Sequence, residues 1–437
     1  MRENSGKSGQ KGCVTAIVAI LMLLGLGVLL YCEWRGSLWD TLYVCRKMLW
    51  VMPLFAGLAW TAHYHAGKGM GSRQYISQLF CGKAVSGGRR AYLDYARVFA
   101  AVMVILTHAC SMQANEDAAA WKINLLLVCT GIGLVCNPLY VMISGALLLS
   151  AEREEALGAF YFKRFVKVVI PMAVYYVIFL CVSGQMSLIP PRNLREGFLQ
   201  ILGGASGIVP HYWLVYTLIS LYVTAPFIRV MVQNLKDSQI TVLFFLILIE
   251  EALTAYLPFL GVRIGFTLNL ASWEGVFILG YILTKRRTKL TELVVLVFGA
   301  ASAVIVALVS VFYSPSGEYI SNTAPVMVLF AGAVLTLLSR LENVIQGWFP
   351  AVVRTLSKYS YSVILVHWYG LFVVTFGKIG VQPLRFGCIG GIILTVLTAA
   401  VACFVLGFLA DNTVVLAVQH VVYSLGGMAK KLKKVVK

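Results

Sequence analysis

The sequence predicts an all-α, polytopic integral membrane protein of about ten core transmembrane helices, preceded by one or two further helices. Three observations carry that fold class. Of 437 residues, 59% are hydrophobic and only 12% charged, too little polar surface to cover a water-soluble body of this length. Apolar runs of about 18 to 25 residues recur, each long enough to cross the hydrocarbon core as a helix. Lys and Arg return on every second connection, as the positive-inside rule requires of an even number of core spans with both ends in the cytoplasm.

The chain divides in order. Residues 1–62 form an N-terminal anchor with candidate helices at 14–31 and 41–62, the second interrupted by Arg46 and Lys47. The first follows a basic leader like that of a signal peptide, but it lacks a small-x-small cleavage site, and Tyr31 before Cys32 spoils a lipoprotein-type site. It therefore reads as an uncleaved anchor. Residues 63–91, rich in Gly, Ser and basic side chains, read as a cytoplasmic linker. Residues 92–412 are the membrane domain, and 413–437 a basic cytoplasmic tail ending in Lys430, Lys431, Lys433, Lys434 and Lys437. Core spans are expected near 93–112, 125–150, 165–183, 212–232, 240–260, 266–284, 291–313, 323–340, 360–377 and 388–411. Pro226 is expected to break the fourth. The longest outer loop, 184–211, holds Pro190-Pro191 and a glycine cluster, with LREGFLQIL as a short interfacial amphipathic helix.

The net charge of +18 would suit a nucleic-acid binder were it not so ordered along the chain. Arg89 and Arg90 precede the first core span, Lys163, Arg164 and Lys167 follow the second, and Arg229 and Lys236 follow the fourth. Lys285, Arg286, Arg287 and Lys289 follow the sixth, and Arg340, Arg354 and Lys358 the eighth. The charge marks a membrane side, so the lipid bilayer and not nucleic acid is the expected partner. The ten cysteines lie mostly in apolar runs without CxxC pairs or ligand spacing. They read as small buried hydrophobes, and no metal site is expected.

Residues 92–110, YLDYARVFAAVMVILTHAC, carry an arginine and a histidine on an otherwise spanning segment. Ionisable groups are costly in hydrocarbon and usually functional there. Arg97 and His108 are eleven positions apart, three turns plus roughly 20°, so both project from one face about 16 Å apart along the axis. That spacing suits an extended anionic ligand, with guanidinium on a phosphate and imidazole at the reactive end, and a phosphopantetheine arm has about that reach. A snorkelling Arg97 and a helix-to-helix hydrogen bond from His108 would explain the pair equally simply. Asp94, one turn before Arg97, is placed to hold its guanidinium. Ser144 lies in NPLYVMISGALLL, where small residues admit a close neighbour. His211 and Trp213 open the fourth span in HYWLVYTLISLYVTAPFI, and His367 lies inside LSKYSYSVILVHWYG. Glu250 and Glu251 interrupt the fifth span, and Glu274 follows Trp273 in the sixth. Adjacent helical residues diverge by about 100°, so Glu250 and Glu251 should not face one pocket.

Taken together, these motifs resemble the membrane acyltransferase family 3. LDYARVFAAVMVILTHA is similar to that family's opening Arg/Lys, ten residues, then His. NPLYVMISGALLL, YFKRFVKVVIP, HYWLVYTLISLYVTAP and SKYSYSVILVHW follow in the family's order, over about residues 90–411. The nearest flavour is that of surface polysaccharide O-acetyltransferases and the membrane part of vancomycin-resistance serine racemases. The chain departs from the pattern in having about 90 residues before the core. The resemblance implies a multi-pass protein of the bacterial inner or plasma membrane. It would move an acyl group from cytoplasmic acyl-CoA, with acetyl-CoA the expected donor, to a hydroxyl of a carbohydrate or lipid-linked glycan acceptor. No bound cofactor is implied. His108 would be the base, or a transient acyl carrier, and Arg97 would orient the donor or stabilise an oxyanion. His367, Ser144, Glu274, Glu250, Glu251, His211 and Trp213 would be active-site neighbours. The competing reading is a carrier for a small amino acid such as serine or for a lipid-linked glycan. Carriers commonly show paired broken helices in related halves, and no matching pair is visible here.

Overall fold

The computed structural model describes residues 90–435 except 115–116, 152–154, 189–190, 206, 263–264, 266–269, 314, 316, 318, 343 and 345–347. The candidate helices 14–31 and 41–62 and nearly all of the 63–91 linker lie outside the described residues.

Helices α1 (Ala91–Ser111), α2 (Ala120–Gly133) and α3 (Cys136–Leu148) cover the first two expected spans. A short break at Leu134 and Val135 separates α2 from α3, although Ala120–Leu148 is one apolar stretch. Thr107 Oγ1 on α1 donates to the Thr130 carbonyl on α2 at 2.8 Å and ties the two helices. The third span is α4 (Leu157–Arg164), a π-helical turn Phe165–Val169 and α5 (Ile170–Val182). The outer loop holds a two-residue hairpin, β1 (Ser187–Leu188) with β2 (Pro191–Arg192), then α6 (Leu194–Gly203). Exposed Phe198, Leu199 and Leu202 give α6 the amphipathic character expected of it.

Helix α7 (Trp213–Asn234) runs through Pro226 without breaking, contrary to expectation. Proline removes one backbone donor and crowds the preceding turn. The Tyr161 hydroxyl donates to the Val223 carbonyl, in the turn before the proline, at 3.0 Å. Helix α8 (Asp237–Tyr256) follows. Helix α9 (Trp273–Lys285) has 13 residues and starts later than the apolar run from 266 suggested, because extended Ser272 ends the approach to it. Then come α10 (Lys289–Phe312) and α11 (Pro325–Leu341). An unanticipated helix, α12 (Phe349–Lys358), precedes α13 (Ser360–Trp368), which continues as a π-helix over Tyr369–Ile379. Helix α14 (Cys388–Ala410) passes through a π-turn, Asp411–Val415, into α15 (Leu416–Val435), so helical backbone continues past residue 412.

Eight helical stretches among the described residues are long and apolar enough to cross a bilayer. The short α9 is different in kind. Every residue from Gly275 to Leu283 is buried, so it is wrapped by protein and need not match the lipid thickness. Its neighbour α3 is buried almost throughout, from Cys136 to Ala146 except Asn137. The two meet through reciprocal glycines: a Cβ on Gly145 would strike the Phe277 carbonyl, and one on Gly280 would strike the Met142 carbonyl. Around this centre, exposed apolar stripes such as Ile389, Ile393, Leu397 and Val401 on α14 face outward at four-residue spacing, as a lipid-facing surface requires.

Because backbone lies on both sides of each glycine contact, α3 and α9 cannot absorb a side chain by rotamer change. Gly145→Leu and Gly280→Leu should each destabilise the fold by at least about 1–3 kcal/mol. Thermal unfolding in detergent, compared with exposed Gly390→Leu as a control with open space, would show it.

Candidate functional site

Three histidines from three elements converge. His108 lies in the last turn of α1, His211 in the 3₁₀ turn Pro210–Tyr212 that opens α7, and His367 near the end of α13. His108 stacks on His367 with ring centroids 5.1 Å apart, and His211 meets His367 edge-on at 4.5 Å. Trp368 closes the group, edge-on to His108 at 5.5 Å and stacked on His211 at 5.7 Å. His211 and His367 are buried, whereas His108 is partly open.

Backbone carbonyls orient two of the rings. His367 Nδ1 lies 2.7 Å from the Ile364 carbonyl, and His211 Nε2 lies 3.1 Å from the Leu365 carbonyl. A carbonyl only accepts, so each of these nitrogens carries the proton, and in a neutral ring the other nitrogen is left as an acceptor. Those acceptors, His367 Nε2 and His211 Nδ1, are buried with no hydrogen-bond partner. A buried orphan acceptor is costly unless something else meets it, and a bound hydroxyl would.

Arg97 sits three turns from His108 on α1, its side chain 27% exposed and its Nη1 3.0 Å from Asp94 Oδ1. Asp94 is itself buried, and its Oδ1 also accepts from Ser357 on α12 at 2.7 Å. The Tyr140 hydroxyl on α3 contacts the Arg97 carbonyl at 3.4 Å. The guanidinium is thus aimed by its own helix, with α12 holding the carboxylate that aims it.

The remaining expected neighbours are placed differently. Ser144 Oγ pairs with Tyr222 across α3 and α7 at 3.2 Å, a contact that joins the two helices. Trp213 packs against Trp273 at 5.6 Å, bringing Glu274 to the same region as the first turn of α9. Glu250 Oε2 accepts from the Leu270 backbone at 2.8 Å and braces the approach to α9. Glu251 is 2% exposed with both carboxylate oxygens unpartnered, so the adjacent pair has divided surroundings, as their 100° divergence requires. Among the described residues no group of three His, Cys, Asp or Glu is placed to hold a metal ion.

Sequence reasoning missed four supports. Trp368 follows His367 directly, but adjacency does not say that its ring reaches both other histidines. Ser357 lies on a helix too short and polar to stand out. Asp411, at the start of the last π-turn, accepts from Ser362 on α13 and from the Tyr175 hydroxyl on α5, the latter at 3.0 Å. Asn412 adds a bond to the Tyr359 hydroxyl at 3.0 Å. This network fixes α13, and with it His367, against the last long helix. Asp411→Ala should cost about 1–3 kcal/mol by leaving two hydroxyls without their acceptor, and Asp411→Asn less. Denaturation midpoints in detergent would rank them.

Residues 90–410 match the acyltransferase family 3 model, described as an acyltransferase domain. No curated protein and no solved structure matches the chain.

Proposed function

The chain belongs to acyltransferase family 3, and from that premise we propose that it is a membrane O-acyltransferase. It moves an acyl group, acetyl in the first instance, from cytoplasmic acyl-CoA to a hydroxyl of a cell-envelope or exported glycan. The observation that carries this reading is the convergence of His108, His211 and His367 at one end of a helix whose other end holds Arg97. The basic end of the bundle, where α1 begins, is assigned to the cytoplasm of a bacterial cell membrane by the positive-inside rule, which leaves the C-terminus on the same side.

His108, the partly open ring, is the base. It takes the proton of the acceptor hydroxyl as that oxygen attacks the thioester carbonyl; the C–S bond then breaks, and the proton returns to the CoA thiolate. His367 Nε2 and His211 Nδ1 hold further hydroxyls of the sugar and so select for a polyhydroxylic acceptor. Arg97 lies about 16 Å along the axis from His108. A hydrogen bond spans only about 3 Å. Of the two roles open to Arg97, orienting the phosphate-bearing part of the donor therefore fits, and stabilising an oxyanion at His108 does not.

The test is release of free CoA thiol from acetyl-CoA by purified protein in nanodiscs, with and without envelope glycans. His108→Ala should lower acceptor-dependent release about 10²- to 10⁴-fold. Arg97→Ala should act mainly through the KM for acetyl-CoA. Well-folded protein that consumes no acyl-CoA with any acceptor, yet moves serine or a lipid-linked glycan across a vesicle membrane, would replace the enzyme by a carrier.

A further inference from the structure

At the end of the bundle opposite the basic one, α8 carries a carboxyl group with nothing to hold. Ile240, Phe244, Ile247 and Glu251 recur at helical spacing and all are buried, so Glu251 occupies the inward stripe of α8, where the same helix otherwise places hydrophobes. Both of its oxygens lack a hydrogen-bond partner, and no Lys, Arg or His among the described residues pairs with it. A carboxyl group removed from water is costly unless something donates to it. Two contacts fix where it lies. A Cβ on Gly275 of α9 would meet Ile247 Cγ2 at 3.0 Å, and Glu250 Oε2 accepts from the Leu270 backbone at 2.8 Å. The two helices therefore run antiparallel here, and Glu251, one turn beyond Ile247, lies beside residues 270–273. Further along α8, the Tyr256 hydroxyl is a second buried group without a partner, and it lies in the field of Glu251. Trp273 packs on Trp213, itself 37% exposed and two residues from His211. Glu274, in the first turn of α9, offsets the partial positive charge of that helix end.

We propose that Glu251 and Tyr256, with the Trp213 and Trp273 pair beside them, form a subsite for a primary ammonium group, and, resting on the acyltransferase reading, that this group is the free amine of an amino sugar in the acceptor. A neutral sugar hydroxyl would donate to one carboxylate oxygen and leave the buried charge uncompensated. An ammonium brings three donors and the opposite charge, which two empty carboxylate oxygens and a hydroxyl oxygen take up together. Indole faces attract cations as well. The subsite joins the imidazoles through Trp213 and His211, so an acceptor held by its amine is held at the end of the bundle where His108 lies. A glycan bearing carboxylates or phosphates would meet Glu251 and Glu274 and be turned away. The acceptor class narrows accordingly to basic glycans.

The same ammonium chemistry belongs to ethanolamine lipid headgroups, so the test uses two lipids. Binding of a radiolabelled glucosamine trisaccharide, and of its fully N-acetylated form, to the full chain is measured at about pH 6, where such an amine carries its proton. The first nanodiscs are of phosphatidylcholine, whose quaternary ammonium has no N–H to donate. The free amine should bind at least about tenfold more tightly than the N-acetylated form. Glu251→Gln, which keeps the size and one acceptor oxygen, should remove most of that preference, and Tyr256→Phe should reduce it about threefold. Neither should change the affinity for the N-acetylated form, which reports that the protein is still folded. Equal affinity for the two forms in the wild type, or an undiminished preference in Glu251→Gln, overturns the subsite. A Glu251-dependent preference that disappears in phosphatidylethanolamine nanodiscs overturns the assignment to the acceptor and gives the site to the lipid. Displacement of the trisaccharide by free serine as readily as by glucosamine overturns that assignment in favour of a carrier. Glu251-dependent amine binding without CoA release supports the subsite while removing the enzyme reading. His108-dependent acyl transfer that is indifferent to Glu251→Gln and to N-acetylation keeps the enzyme and overturns the acceptor class.

Discussion

The close approach of α3 and α9 is the contact on which the rest of the molecule depends. Gly145 lies against the Phe277 carbonyl and Gly280 against the Met142 carbonyl, so two backbones touch where side chains would ordinarily separate them. In a bilayer, where burial of apolar surface gives helices little reason to associate, such direct packing is a principal source of cohesion. It also explains why 13 residues suffice for α9: a helix enclosed by protein presents no backbone to lipid. The other helices then pack around this pair, and α1, carrying Arg97 and His108, lies directly against α3.

The same arrangement separates two chemistries along one axis. At the basic end, the ends of α1, α3 and α9 converge, so cations from distant parts of the sequence share a cavity with an unpartnered serine. At the other end of α1, His108 meets a turn and a helix, each with its imidazole oriented by a carbonyl of α13. Ionisable groups are expensive in hydrocarbon and are tolerated when they face the interior of a bundle. Here His211, His367 and Asp94 are buried in that interior, and Arg97 and His108 lie three turns of one helix apart.

Holding that geometry requires buried polar bonds far from the imidazoles. Asp94 aims Arg97 and is itself held by Ser357. Asp411 ties Ser362 and Tyr175, and so joins α5, α13 and the last helix. In a low dielectric, such bonds are stronger and their loss more costly than in water, which makes them effective positioning devices. Neither carboxylate is bonded to a histidine ring, yet Asp94 holds Arg97 and Asp411 holds the helix that bears His367.

Much of this was legible in the sequence. Composition and apolar run length identify the all-α polytopic fold class, because the bilayer imposes length whatever the partners, and eight helical stretches among the described residues meet that length. The eleven-residue spacing of Arg97 and His108 defines a shared face, because helical periodicity is local. Asp94 could be paired with Arg97 for the same reason. What periodicity cannot supply is register between helices. That His211 meets His367 and so joins the cluster of His108, that Ser144 meets α7 through Tyr222, and that Tyr161 reaches the turn before Pro226 all depend on which turns of separate helices meet. The boundaries of α9 follow from the same cause, since an apolar run sets the greatest length of a helix while the surrounding protein sets its actual one. The spans were determined by the solvent, which the sequence addresses residue by residue. The site was decided by packing, which exists only once the helices have found each other.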